Sequence, residues 1–326
     1  LHNPMDQLPA HCVPLHTLLP QPCQAGIAPA PKVAFVLDKA TRDRLLLLDT
    51  SLAPYLRRYL SSDDIERYTV CDEHRFLLAL PAGWTRTLDA HAHPSDAWHT
   101  LAEHAPALAR HLAIPATERP HHQYWWELDD HTALPARHQS IITWRIHRSQ
   151  LWFARTTPGF VSAAAWFVSE GMWQAGLLNS SPMQRWLNRA TIKSSRDLPA
   201  VVDALPVPQS LIADPELERL ATHAAETHQA RMSTTRAGVQ SLVRAFAPLG
   251  AKVPASLYDW HTFDFARLQQ ALRRAFQGDI PERHHAEWHQ WLTTGQAQHA
   301  DLVAQAQRID QRINALVAAH LPAPQG

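Results

Sequence analysis

The chain has 326 residues, 30 basic and 30 acidic, so its formal charge is zero with histidine neutral, and 45% of it is hydrophobic. That length fits two domains or one large one, and the apolar content excludes a disordered chain. An apolar window of about 18 residues without charge is missing, which excludes a membrane-spanning helix; the three cysteines (Cys12, Cys23, Cys71) cannot close an even disulfide set and point to a reducing, cytoplasmic setting.

Residues 1–31 are rich in proline and read as an irregular lead-in. Their start, Leu1-His2-Asn3-Pro4-Met5, has neither the basic nor the apolar region of a signal peptide, and the absence of an initiating Met reads as a fragment or trimmed chain. Lys32–Asp38 and Arg44–Asp49 are apolar runs of strand length. Leu52–Leu60 reads as a short helix with Pro54 in its first turn. Glu66–Cys71 and Arg75–Pro81 flank Asp72-Glu73-His74, a hairpin pattern. A helix is predicted over 95–112, capped by Ser95 and kinked at Pro106. Strand character returns at Tyr124–Leu128, at Ser140–Arg148 and Leu151–Arg155 around a Ser149-Gln150 turn, and at Phe160–Ser169. A helix follows over Gly171–Arg189.

Leu205-Pro206-Val207-Pro208 is the clearest boundary. Beyond it the pattern is helical: a start at Asp214-Pro215-Glu216, a second helix over about 257–277, and a long one over about 282–319. The last carries Trp288, Trp291, Leu292, Leu302, Val303, Ile309, Ile313, Leu316 and Val317, a 3.5-type period that implies packing along another helix. The expected fold class is α+β: a mixed-sheet domain over 32–208, then a helical domain over 209–326 with a long terminal helix.

Catalytic signatures are missing. There is no Gly-x-Gly loop for a methyl donor, no Asn/Asp/Ser-Pro-Pro-Tyr/Phe motif for a flipped adenine, no Glu-x-Lys nuclease motif and no phosphate-cradling Gly-Lys loop. Local histidine groupings (His285, Glu287 and His289; His91 and His93; His121 and His122) lack the order that would place a metal-dependent base, and with 22 histidines such pairs arise by chance. No catalytic or metal residue is assigned. None of the cysteines sits where a depressed pKa is expected.

The order of the motifs resembles the C-terminal specificity domain of the TaqI-like N6-adenine DNA methyltransferases and of type IIG restriction–modification proteins. The pieces are Gly26-Ile27, Ala34–Asp38, Leu45–Asp49, Asp64-Ile65-Glu66-Arg67-Tyr68, Tyr124–Leu128, Ile141–Arg145, Leu177-Leu178-Asn179-Ser180, Leu205–Pro208 and Ile309–Leu316. No single piece is specific; their ordered series over roughly 12–320 carries the likeness. Two pieces depart from the pattern: Gln139-Ser140 stand where a lysine is usual, and Val317-Ala318-Ala319-His320 replace the usual closing residues. The resemblance implies a DNA target-recognition region working on double-stranded DNA. S-adenosylmethionine and the flipped adenine would then sit on a methyltransferase catalytic domain, in the same polypeptide or on a partner chain.

Neutral charge argues against strong phosphate binding, although 26 of the 30 basic residues are arginine, the side chain that forks onto guanine and phosphate. A GC-rich genome also accounts for that bias, and positive charge need only occupy one face. Strand alternation puts Thr143, Arg145 and His147 on one face and Ile142, Trp144 and Ile146 on the core face, leaving Arg145 outward. The candidate DNA contacts are Arg145, Arg148 and Arg155 on the hairpin, Trp125 or Trp126 as a stacking surface against a packing role for both, and Arg189, Lys193 and Arg196 as a basic loop. Arg57 and Arg58, near Asp63-Asp64, read as structural, as do Asn179 and Ser180. The alternative is a specificity-like scaffold of a phage-defence complex whose helical domain binds a partner protein; a hydrolase with a histidine-held metal is a third reading.

Overall fold

A computed structural model describes residues 8–91, 93–114, 124–190 and 197–324. The architecture is α+β, with three small sheets and their helices followed by a helical segment that ends in a long helix. Proline does not keep the lead-in irregular: β1 (Cys12–Pro14) pairs antiparallel with Pro206–Pro208. The stretch expected as one strand over Lys32–Asp38 is a single helical turn, α1 (Lys32–Phe35), and a two-residue β2 (Val36–Leu37).

The next expected strand is a helix, α2 (Lys39–Leu48). A run of four leucines has no period of its own. The cap decides: the Asp38 carboxylate accepts from Thr41 N at 2.7 Å, and helical spacing then buries Leu45 and leaves Leu47 and Leu48 outside. The helix expected over Leu52–Leu60 is a 3-10 turn, Thr50–Tyr55, that runs into β3 (Leu56–Leu60). β4 (Arg75–Leu78) lies between β2 and β3, antiparallel to both, so the hairpin expected at Asp72-Glu73-His74 does not form. Its presumed partner turns away because Tyr68 is fully buried in a different core and its N–H donates to Phe153 O at 2.8 Å.

After α3 (Trp84–Leu88), the helix predicted over 95–112 is two, α4 (Ala97–His104) and α5 (Pro106–His111). Proline has no N–H to give the preceding turn, so it starts a helix where a kink was expected. Asp96, not Ser95, holds the cap position. Residues 124–128 form a turn, not a strand: the Glu127 carboxylate accepts from Gly83 N and Thr85 N, both at 2.6 Å, and fixes the bend.

β5 (Ile141–His147) and β6 (Gln150–Arg155) form the expected hairpin, with its turn one residue earlier, at Arg148-Ser149. Both turn residues have positive φ, 45° and 69°, which suits the right-handed twist of a two-residue hairpin loop. The strand expected over Phe160–Ser169 divides. β7 (Phe160–Ser162) runs parallel to β3, whereas β8 (Trp166–Val168) joins β5 antiparallel. The expected helix over Gly171–Arg189 also divides, into α6 (Met172–Asn179) and α7 (Ser181–Leu187), because Ser180 leaves the helix to cap the second piece. α8 (Leu198–Asp203) and β9 (Pro206–Pro208), the partner of β1, complete this part.

The helical segment follows the sequence more closely. Asp214 Oδ1 accepts from Leu217 N at 2.7 Å and starts α9 (Pro215–Phe246). The helix expected over 257–277 opens as a 3-10 stretch, Ala255–Thr262, and continues as α10 (Phe265–Phe276). The terminal helix is α11 (His285–His320), and it packs along α9. Apolar packing crosses residue 208. Leu217, Leu220, Ile309, Ile313 and Val317 share one core with β5, β6, α6 and α7, while the far ends of α9 and α11 close a separate core around Trp260.

Candidate nucleic-acid interface

β6 is an edge strand of its sheet; apart from the backbone bond from Tyr68 N to Phe153 O at 2.8 Å, its outward groups are met by side chains. Asn179 Oδ1 accepts from Phe153 N at 3.0 Å, and its amide nitrogen donates to Phe153 O at 2.7 Å. One turn on, Gln184 repeats the arrangement with Leu151: Oε1 accepts from N at 3.2 Å and Nε2 donates to O at 2.9 Å. Two amides five residues apart thus copy the ladder of a missing strand, which protects the edge from foreign pairing. Ser180, between them, accepts from Met183 N at 3.3 Å as the cap of α7.

Beside this edge, several of the recognisable motifs converge. Arg67 pairs with Asp310 of α11 and donates to Asn179 O at 2.8 Å. Tyr68 OH donates to the other oxygen of Asp310 at 2.8 Å. Ser181 N donates to Asn314 Oδ1 at 2.7 Å. Glu66 holds Arg145 at 3.1 Å, and Asp64 takes both Arg75 and the N–H of Ser61. The motif residues therefore form a clasp between the strand-rich part and the terminal helix.

A polar groove of about 420 Å³ opens next to the clasp. Arg67, Asn179, Gln184 and Asp310 form its committed floor; Gln150, Ser181, Arg185 and Asn188 are exposed around it, and Asn314 stands on the α11 side. Arg185 has no hydrogen bond or ion pair among the described residues, and neither does exposed Arg148 on the hairpin turn next to Gln150. Sequence reasoning missed Arg185, Asn188 and Asn314. Polar residues alternating with apolar Pro182, Met183, Trp186 and Leu187 are what any half-buried helix shows, so no local pattern marked them.

The other predicted residues fall in different places. Arg145 is not the outward, available side chain that alternation implied: it is half-buried, ion-paired to Glu66, and its guanidinium lies 5.3 Å from the Trp152 ring centre. The alternation itself fails at the strand end, where Ile146 is 59% exposed while Thr143 is fully buried against Ser162. Arg155 lies at the opposite end of the hairpin from Arg148, about 17 Å away at the rise of an extended strand, and donates to Ser169 Oγ at 3.1 Å. Trp125 and Trp126 are both buried, correcting the idea that one faces outward; a turn at 124–128, unlike a strand, lets adjacent rings enter one core. Trp126 also donates to Thr85 Oγ1 at 2.8 Å. Arg189 follows α7, half-buried and engaged. Lys193 and Arg196 lie outside the described residues. Arg58 pairs with Asp72, not with Asp63-Asp64, and Arg57 donates to Pro135 O at 2.7 Å.

Titratable groups agree with this division. Burial, then Arg145 and Arg148, lowers the His147 pKa, and its ring stacks on Trp152 at 3.7 Å. Burial raises the Cys12 and Cys71 thiols to about 11, and burial followed by Asp203 raises Cys23, so all three stay protonated near neutrality. His285 Nε2 meets Ile280 O at 2.9 Å. Among the described residues no helix is long and apolar enough to cross a membrane.

Residues 212–317, about a third of the chain, match a domain family of unknown function, DUF8810. No curated protein matches. Among solved structures the chain is loosely similar to the Type IIL restriction-modification enzyme MmeI in complex with DNA: TM-score 0.36, 15% identity, over 90% of this chain. The chain spans 37% of the length of that enzyme.

Proposed function

We propose that this chain is a sequence-specific DNA recognition region that acts, in the cytoplasm, with an adenine-N6 methyltransferase catalytic domain. That domain would hold S-adenosylmethionine and the flipped adenine, in the same polypeptide or on a partner chain. The observation that carries the reading is the contrast between two sets of arginines. Those in the motif series, Arg67 and Arg145, are spent on acids within the fold, while Arg185 lines one polar groove and Arg148 lies on the hairpin turn that leads into Gln150 of that groove, both without acid partners among the described residues. Duplex DNA is bound through cations free to meet phosphate and donors free to meet base edges. The motifs then act as the frame, and the groove and hairpin turn as the contact surface.

The test is fluorescence anisotropy of a labelled duplex with the full chain across a salt series. Binding should weaken as salt rises, and Arg148→Ala should lower the log–log slope by about 0.9, the loss of one phosphate contact. No binding at low salt, or binding indifferent to salt, would sink the proposal. It would favour the scaffold reading, to which the zero net charge and the acid-paired arginines (Arg58, Arg75, Arg219, Arg236, Arg273 among them) lend weight.

A further inference from the structure

We infer that the groove beside α7 reads a guanine, through Arg185 with the amide of Asn314; the inference rests on the DNA-recognition reading of that groove. The argument is one of hydrogen-bond polarity. The polar atoms of the groove floor are consumed: Asn179 and Gln184 by the backbone of β6, and the two oxygens of Asp310 by Tyr68 and Arg67. Asn314 is consumed on one side only. A backbone N–H can only donate, so the atom that Ser181 N meets at 2.7 Å is the amide oxygen, and the NH2 group is the one left over. Arg185, exposed and without an acid partner among the described residues, offers a fork of donors on the same groove.

What the groove presents with fixed polarity is therefore donors from two different elements. In the major groove guanine shows two acceptors side by side, N7 and O6. Adenine shows one acceptor next to a donor, cytosine a donor, and thymine a single acceptor with a methyl group. Two donors on one groove match guanine and leave each of the others with an unmet or opposed group. Because Asn314 belongs to α11, the recognition surface extends into the helical segment.

The experiment uses the full chain. A pool of duplexes with a randomised centre is selected by binding, and the preferred duplex is remade with 7-deazaguanine at each guanine in turn. One guanine position should be enriched, and removing its N7 should weaken binding roughly tenfold or more. Arg185→Lys keeps the charge but not the planar fork. It should bind with lost preference at that one position and should no longer respond to the deaza base. Asn314→Ala should weaken the same preference. If Arg185→Lys binds like the parent and Arg185→Ala loses affinity equally on all sequences, Arg185 is a phosphate contact and the inference is overturned while DNA recognition stands. If the parent chain binds no duplex at low salt, the recognition reading itself fails and takes this inference with it.

Discussion

The two ends of the long helices differ in what is added to their apolar packing. Where α9 and α11 meet the sheets, a polar clasp stands beside the shared core: Asp310 receives Arg67 and Tyr68, Asn314 receives Ser181, and Asn179 and Gln184 sit on the edge of β6. At the far end the joint is a matter of shape. The indole of Trp260 enters between the helices opposite two glycines; a Cβ on Gly238 would lie 2.3 Å from its ring and one on Gly295 2.7 Å. Its N–H donates to Thr235 O at 2.9 Å, and Trp291 packs on its face at 5.1 Å. A polar joint depends on particular partners at particular atoms, whereas an apolar one depends on volume and tolerates any residues that fill it.

Substitutions should separate the two joints. Asp310→Ala should cost most, about 3 kcal/mol, because it strips Arg67 and Tyr68 of their shared acceptor in a half-buried setting. Urea denaturation measures this, and a change below about 0.5 kcal/mol would show the clasp to be ornamental. Gly238→Ala should cost about 2 kcal/mol despite the better helix propensity of alanine, because the indole is pinned on both sides. Shortening the wedge in the same chain, Trp260→Leu, should remove the Gly238→Ala penalty; an unchanged penalty would mean that the clash is relieved elsewhere. Ser180→Ala should cost about 1 kcal/mol, the value of one cap, read from the same curves.

A smaller effect near neutrality concerns pH. His228 is buried against Tyr68 with both ring nitrogens unpartnered among the described residues, and burial, then Arg231 and Arg67, depresses its pKa to about 3. His299 stacks on His261 at 3.7 Å and is lowered to about 4 by burial, then by His261 and Arg231. In the unfolded chain these imidazoles take up protons near 6.5, while in the folded chain they stay neutral until lower pH. The loss of stability is therefore absent well above 6.5 and grows as pH falls from 6.5 towards 4. His228→Phe should flatten the denaturation midpoint over that window, and an unaltered slope would mean that the ring protonates without penalty.

The same contrast explains what was legible. The clasp was visible as motifs because its function is tied to residue identity: Asn179, Ser180, Arg67, Tyr68 and Asp310 all belong to recognisable pieces. Asn179 and Ser180 bond within the fold, as expected, while Arg145, expected outward, is paired with Glu66. The groove was not legible, since Arg185, Asn188 and Asn314 have no local signature and become neighbours only when α7 and α11 pack together. Runs without a period are ambiguous as well: the leucines of α2 and the aromatics at 124–128 have strand composition, yet one forms a helix and the other a turn.

Sequence alone determined the α+β class, the β5–β6 hairpin, the helix start at Asp214 and the paired long helices, because periodicity and capping act over a few residues. Tertiary structure decided which arginines are free. Whether a cation is spent on an acid depends on partners far away in the chain, as for Arg67 and Asp310, and no local pattern records that distance.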